Sequence, residues 1–219
     1  MEYSEEALQA VREGRLLINR YDEWLFDEFK PYIGNRILEI GCGLGNLLTH
    51  FLSKELTIGI ETSPESVTYV QDLYAKNQNI QVHQYSITDP NVLKLASYHF
   101  DTAVSLNVFE HIHDDELAIR HTLELLQPTG TLILIVPSHQ SLYGAMDASI
   151  GHYRRYTKVL MKEKMERVGF HVKHQKYINI LGALGWWFNG RVLKRTVPPS
   201  GQLQLFNKFV PILRTIEGL

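Results

Sequence analysis

The stretch ILEIGCGLGNLL, residues 37–48, constrains the fold more than any other part of the chain. An apolar, β-rich run, RILEI (36–40), leads into glycines at every second position, Gly41, Gly43 and Gly45, and then into the helix-like pattern NLLTHFL. Alternate glycines directly after a strand let the backbone turn sharply and lie against a ligand with no Cβ in between. The spacing predicts strand, tight turn, helix, with a nucleotide-like ligand at the turn. Glu61 follows Gly41 by twenty residues and ends the next strand-like run, LTIGI (56–60), where a carboxylate is placed to accept hydrogen bonds from ribose hydroxyls.

The same rhythm continues downstream. Helix is predicted over Pro64–Lys76, strand over IQVHQY (80–85), a short helix near Pro90–Ala96, strand over FDTAVSL (100–106), helix over Asp114–Leu126, and a buried strand TLILIVP (131–137) after the turn PTG. Strands alternating with helices at this spacing imply a mostly parallel sheet flanked by helices, an α/β Rossmann-like fold, with ligands at the carboxyl ends of the strands. Ahead of it, Leu8, Val11, Leu16, Leu17, Tyr21, Trp24, Leu25 and Phe29 recur at helical steps, so an amphipathic lid or packing helix is expected from Ser4 to about Tyr32. Beyond Pro137 the pattern changes. An irregular stretch runs to Tyr156, then a helix over 157–168 with Thr157 as N-cap, then FHVKHQKYI (170–178) as a strand, then an apolar and basic C-terminal extension broken at Pro198 and Pro199. No further closing strand is evident. The expected organisation is one domain over 1–219, with 1–33 as an N-terminal helical cap, 34–137 as the cofactor-binding core, and 138–219 as substrate loop and C-terminal part.

The net charge of −2 conceals an asymmetry: residues 1–150 hold 9 Lys/Arg against 21 Asp/Glu, and residues 151–219 hold 13 against 3. Either the C-terminal part faces something anionic, or the two parts offset each other within one globule. The single cysteine, Cys42, excludes a disulfide framework and a cysteine-based zinc cluster. The acidic start and the lack of a long apolar run make a cytoplasmic protein without a spanning segment the expectation.

Three details decide between a dinucleotide and a sulfonium ligand. The sixth position of the glycine pattern is Asn46 rather than glycine; Glu39, two residues before Gly41, would repel a pyrophosphate and suits a cationic amino group; and no Lys or Arg lies between Glu39 and His50 to support phosphates. ILEIGCGLGNLL, TIGIETSPESV, FDTAVSLNVFEHI and LLQPTGTLILIVPSH together resemble, in order over residues 36–139, the successive motifs of the class I S-adenosylmethionine-dependent methyltransferases. The resemblance implies that Glu39, Gly41, Gly43 and Gly45, with Cys42 and Asn46 in the same loop, line the methionine part of S-adenosyl-L-methionine, that Glu61 holds the ribose, and that Thr62 lies beside the adenine. Ser86, with Ile87 next to it, stands where many members carry the aspartate that meets the adenine amino group, and Asp89 follows three residues on. Asn107, with Val108 and Phe109, matches the position that approaches the sulfonium end. The product would be S-adenosyl-L-homocysteine.

Methyl transfer is a displacement at carbon that demands alignment and, for a hydroxyl or amine acceptor, removal of a proton. His111, shortly after the fourth strand, is one candidate base, or else a histidine that closes its loop. His113, Asp114, Asp115 and Glu116 are read as the acidic start of a helix, and no metal is expected. The loop after the fifth strand, SHQSLYGAMDASIGHYRRYTK, resembles that of a subset of bacterial methyltransferases carrying an Asp, a Gly-His and an Arg-Arg-Tyr, matched here by Asp147, Gly151, His152, Arg154, Arg155 and Tyr156. Arg154 or Arg155 could clamp a carboxylate or phosphate, and His152 or Tyr153 could orient or deprotonate an acceptor; the other reading is a structural turn in which an arginine pairs with Asp147. The expected partner is a small-molecule acceptor, anionic and glycan- or lipid-linked, with no nucleic acid. GALGWWFNGRVLKR (182–195) admits core or pocket packing, a homodimer contact or a peripheral membrane contact. An NAD-dependent oxidoreductase and a non-catalytic cofactor-binding protein are the alternative functions.

Overall fold

The computed structural model describes residues 14, 17–197 and 199–217. They form two compact units: Phe29–Val136 with Lys164–His171, and the described parts of Met1–Glu28, Pro137–Glu163 and Val172–Leu219.

The first unit is built on five parallel strands, β1 (Arg36–Ile40), β2 (Leu56–Glu61), β3 (Ile80–Gln84), β4 (Phe100–Leu106) and β5 (Leu126–Ile135), in the order β3-β2-β1-β4-β5. The chain runs outward from β1 on one side and resumes beside it with β4, so the strand order reverses between β1 and β4, the position where open α/β sheets bind ligands. Their interior residues read as continuous apolar runs because both sheet faces are covered: Ile37, Leu38, Ile40, Ile58, Ile60, Ala103 and Val104 are buried. α1 (Asn19–Phe29), which up to Glu28 belongs to the second unit, precedes β1 in the chain; between strands lie α2 (Pro64–Leu73) after β2 and α3 (Asp115–Leu125) after β4. Ser63 caps α2 by accepting from the Ser66 N–H at 3.2 Å, with Pro64 opening the first turn; Asp114 caps α3 by accepting from the Leu117 N–H at 3.0 Å. The 3-10 turns Leu48–Phe51 and Pro90–Tyr98 occupy the other crossovers.

In the second unit, α4 (Ala145–Ser149) and α5 (Lys158–Val168), whose C-terminal half belongs to the first unit, precede two longer elements. These are α6 (Ile180–Trp187), which runs on into one π-helical turn at Phe188–Val192, and α7 (Ser200–Glu217), which contains Pro211. The two helices are antiparallel and tied at both ends. Glu217 at the end of α7 accepts the N–H groups of Asn179 and Ile180 at 2.5 and 2.7 Å, and Asn189 beyond α6 donates to Gln202 in the first turn of α7 at 2.8 Å. The inner face of α7 packs on the N-terminal segment, where Phe206 meets Tyr21 edge-on at 5.5 Å and the Asn207 side chain accepts the Arg20 N–H.

Four sequence expectations are corrected. The N-terminal helix spans Asn19–Phe29, followed by a 3-10 turn at Lys30–Tyr32; a turn at Leu17, whose N–H reaches the Gly14 carbonyl, precedes it, and residues 4–13 of the expected helix lie outside the described residues. The segment after the glycine loop is the single 3-10 turn at Leu48–Phe51 rather than a full helix. The final strand begins at Leu126, not after PTG: Phe100 pairs with Leu126 and Thr102 with Thr131, so the extra residues, including Thr129 at φ 70°, are absorbed as a bulge inside β5. FHVKHQKYI forms no strand. Its polar groups bond to the start of α5 instead, the Gln175 side chain donating to the Lys158 carbonyl and the Tyr177 hydroxyl accepting the Lys158 N–H.

Candidate active site

At the carboxyl edge of β1 the chain enters the glycine loop in a left-handed conformation. Gly41 has φ +73°, and a Cβ there would lie 2.4 Å from Val108 Cγ2. The Gly41 and Cys42 N–H groups both donate to the Ile60 carbonyl, at 2.8 and 3.1 Å, which pins the loop to the end of β2. Gly43, at φ +53°, has nothing within 4 Å of where a Cβ would stand, so its backbone borders open space. The Gly43 N–H donates to Glu61 Oε2 at 3.0 Å, and Oε1 of the same carboxylate accepts from the N–H groups of Thr62 and Ser63 at 2.8 and 3.1 Å. Glu61 is thereby fixed at the end of β2 beside the loop. Tyr74 secures the far side by donating its hydroxyl to the Gly45 carbonyl at 2.9 Å.

The field in this loop is negative. Burial, then the charge of Glu39 and then that of Glu61, raise the Cys42 thiol well above its ordinary value, and burial followed by Glu39 pushes the Tyr74 phenol up to about 12. Glu39 itself is buried in β1. A negative field suits a cationic ligand and opposes a pyrophosphate. Methionine-type amino and sulfonium groups therefore fit the residues present, with the open space at Gly43 and the fixed Glu61 as backbone and ribose supports.

The remaining cofactor candidates cluster along the same edge with defined local roles. Ser86 holds the turn after β3, its hydroxyl paired with Thr88 Oγ1 at 2.8 Å, and Asp89 caps the following 3-10 turn through the Asn91 N–H. The two carbonyl-edge residues of that turn are committed to the scaffold. Ile87 is buried and its carbonyl contacts His121 Nδ1 at 2.7 Å. Asn107 sits after β4 at φ +54°, rare for a side chain other than glycine, with its N–H held by the Ile135 carbonyl of β5. Phe109 is fully buried, and the His111 N–H closes onto the Val108 carbonyl at 2.9 Å.

The loop beyond β5 has its own architecture. Its two ends are joined by a parallel bridge between Ser138 and Tyr156, with the Tyr156 N–H on the Pro137 carbonyl and the His139 N–H on the Tyr156 carbonyl. Asp147 stands at its centre, fully buried. Oδ1 accepts from His152 Nδ1 at 2.8 Å and from Arg155 Nε and Nη2 at 2.9 and 2.8 Å; Oδ2 accepts from the Gly144 N–H at 2.9 Å and from the Trp186 indole at 3.3 Å. Burial alone would raise this carboxyl, but the His152 hydrogen bond and the Arg155 charge outweigh it and hold the group below the usual carboxylate range. The motif is therefore divided. Asp147, His152, Arg155 and Tyr156 are buried, whereas Tyr153 is 37% exposed and Arg154 is half-buried with its guanidinium 5.8 Å from the Tyr153 ring. The sequence reading did not find Trp186 or Gly144 as partners of Asp147; Trp186 is 39 residues away and carries no local signal, whereas Gly144 is visible only as a small residue three before the acid.

The chain matches the methyltransferase-domain family over residues 13–175, 163 of its 219 residues, and belongs to that family. Its fold is that of the class I S-adenosylmethionine-dependent methyltransferases. It is 31% identical over 105 residues to the ubiquinone biosynthesis O-methyltransferase of Cereibacter sphaeroides, covering 47% of this chain and 41% of that protein. It is 28% identical over 140 residues to the norajmaline N-methyltransferase of Rauvolfia serpentina, covering 62% and 45%. The aligned stretch thus spans less than half the length of these curated relatives. Among solved structures, the YcgJ protein of Bacillus subtilis superposes with a TM-score of 0.60 at 16% identity, over 79% of this chain and 80% of that one.

Proposed function

We propose that this chain transfers the methyl group of S-adenosyl-L-methionine to a small, anionic acceptor that is glycan- or lipid-linked. The negative field at the glycine loop carries the reading: after burial, which is the largest cause, the charges of Glu39 and Glu61 raise the Cys42 thiol there, a setting that favours a sulfonium ligand over NAD. Gly41, Cys42, Gly43, Gly45 and Asn46 would hold the methionine part, Glu61 and Thr62 the ribose and adenine side, and Asn107 with Val108 and Phe109 the end nearest the reacting carbon. Bound there, the cofactor supplies an electrophilic methyl carbon on a positively charged sulfur.

The protein's own share is alignment and proton removal. In the neutral His152 ring the Asp147 hydrogen bond places the proton on Nδ1, so Nε2 carries the lone pair of a general base. His152 would take the proton that the acceptor gives up as it is methylated, and His111 and Tyr153 are the other groups assigned to this task. Arg154 binds the acceptor's anionic group, while Arg155 and Tyr156 support it from within the loop.

Calorimetric titration with S-adenosyl-L-homocysteine tests the cofactor assignment, and failure of the protein to bind it sinks the proposal. Arg154→Ala is expected to raise the acceptor KM about tenfold or more while leaving homocysteine-product affinity unchanged. Equal loss of both would make the arginine a structural residue. Release of that product in a screen of anionic glycans, lipid-linked sugars and hydroxy-aromatic acids then identifies the acceptor.

A further inference from the structure

On α7, Leu205, Phe209, Ile212 and Ile216 follow one another at steps of four, three and four residues, which places them in a single stripe along the helix. All four are exposed, between 44% and 57%, on the side opposite Leu203 and Val210, which face the unit's interior. The antiparallel neighbour α6 is built from ILGALGWW, with no charged side chain, and it too leaves Ile180, Leu181 and Leu184 exposed, followed by Phe188 in the π turn. A helix pair tied at both ends thus presents apolar residues along two adjacent elements, more than scattered single apolar residues require.

What covers this face is indicated by charge. Between Ile180 and Glu217 the chain carries five Lys/Arg and one acid, and among the described residues only Arg214 of the five is offset by a carboxylate, that of Asp27. That acid, Glu217, is occupied with the backbone N–H groups at the start of α6. Lys194 and Lys208 are exposed within the pair, and Lys173 just before it. A second copy docking by a two-fold axis would set this basic face against itself. An anionic bilayer surface instead satisfies both components, taking the apolar stripe into the headgroup boundary and the lysines against lipid phosphates. No described helix is long and apolar enough to cross a membrane, and an amphipathic helix such as α7 suits the plane of an interface rather than a span.

We infer that the α6–α7 pair is a docking surface for an anionic lipid bilayer, holding the protein on the membrane plane. This inference is independent of the methyl-transfer reading, since it rests on neither the glycine loop nor the Asp147 cluster.

Sedimentation with unilamellar vesicles tests it. The full chain should bind vesicles of phosphatidylglycerol in phosphatidylcholine at least about tenfold more tightly than pure phosphatidylcholine, with the difference shrinking as salt rises. Leu205→Ser with Ile212→Ser should weaken binding roughly tenfold or more. Lys194→Gln with Lys208→Gln should weaken binding to anionic vesicles by roughly fivefold per charge without affecting neutral ones, and it provides the same readout should the serine pair fail to fold. Unchanged product affinity of either variant confirms that the first unit is intact. The inference is overturned by a protein that binds neither vesicle, by one that binds both equally, or by a dimer in sedimentation velocity that Leu205→Ser with Ile212→Ser renders monomeric.

Discussion

Two glycines in one loop separate folding from binding. Gly41 and Gly43 both require a left-handed backbone, for which a side chain costs about 1–2 kcal/mol. At Gly41 a Cβ also collides with Val108, so Gly41→Ala should lower stability by about 2 kcal/mol or more, a fall of roughly 4–8 °C in Tm. At Gly43 there is nothing to strike. Gly43→Ala should cost only the backbone strain, about 1 kcal/mol, yet weaken S-adenosyl-L-homocysteine binding about tenfold or more because its methyl occupies ligand space. Thermal unfolding and calorimetric titration on both variants check the contrast, which is lost if Gly43→Ala binds normally. A second prediction concerns Asp147, whose carboxyl is held low in the folded chain. A group with a depressed folded value stabilises above its unfolded value, near pH 4, and loses that contribution as the pH falls through the folded value. Asp147→Asn should therefore flatten the acid limb of the stability profile below about pH 4. At pH 7 it should cost roughly 3–5 kcal/mol by leaving the buried Arg155 guanidinium unpaired. Urea unfolding at pH 3 and pH 7 measures both, and an unchanged acid limb would remove Asp147 from the linkage.

At the scale of elements, local signals fixed what local chemistry controls. The strand RILEI and the glycine turn carry their cause within a few residues and are found where the pattern predicts them, and the Ser63 and Asp114 caps, though not singled out in advance, are equally local. Ser63→Ala should accordingly cost about 1 kcal/mol, seen as a Tm lower by about 2–4 °C, with no change in product affinity. Affinity falling with stability would give Ser63 a role in the loop beyond its cap. Elements whose fate depends on a distant neighbour were not legible. FHVKHQKYI reads as a strand but is bound at Gln175 and Tyr177 to the start of α5, and PTG looks like a turn but is accommodated as a bulge by pairing with β4. The candidate site follows the same division. The loop glycines, Glu39 and Glu61 announce themselves by spacing, whereas the burial of Arg155 against Asp147, and the only partial burial of Arg154 one residue earlier, are decided by side-chain direction in a loop that has no period.

For the molecule as a whole, the charge asymmetry resolves into two uses. Part is offset internally: within one unit Lys164 meets Asp115 and Arg167 meets Glu116, and within the other Lys176 meets Glu28 and Arg214 meets Asp27. The remainder includes the exposed lysines of the C-terminal helices, available to an anionic partner. The Trp186 indole gives these two uses a shared component. It belongs to α6, and its N–H ends on the carboxylate that orients His152 and neutralises Arg155. A shift of α6 that withdraws the indole takes away a donor from Asp147 Oδ2, and a change of charge on Asp147 alters the hold on α6. Thermodynamic reciprocity then couples the two: whatever displaces α6 is felt at the Asp147 carboxylate, and a change in the charge of that carboxylate is felt at α6 by the same amount.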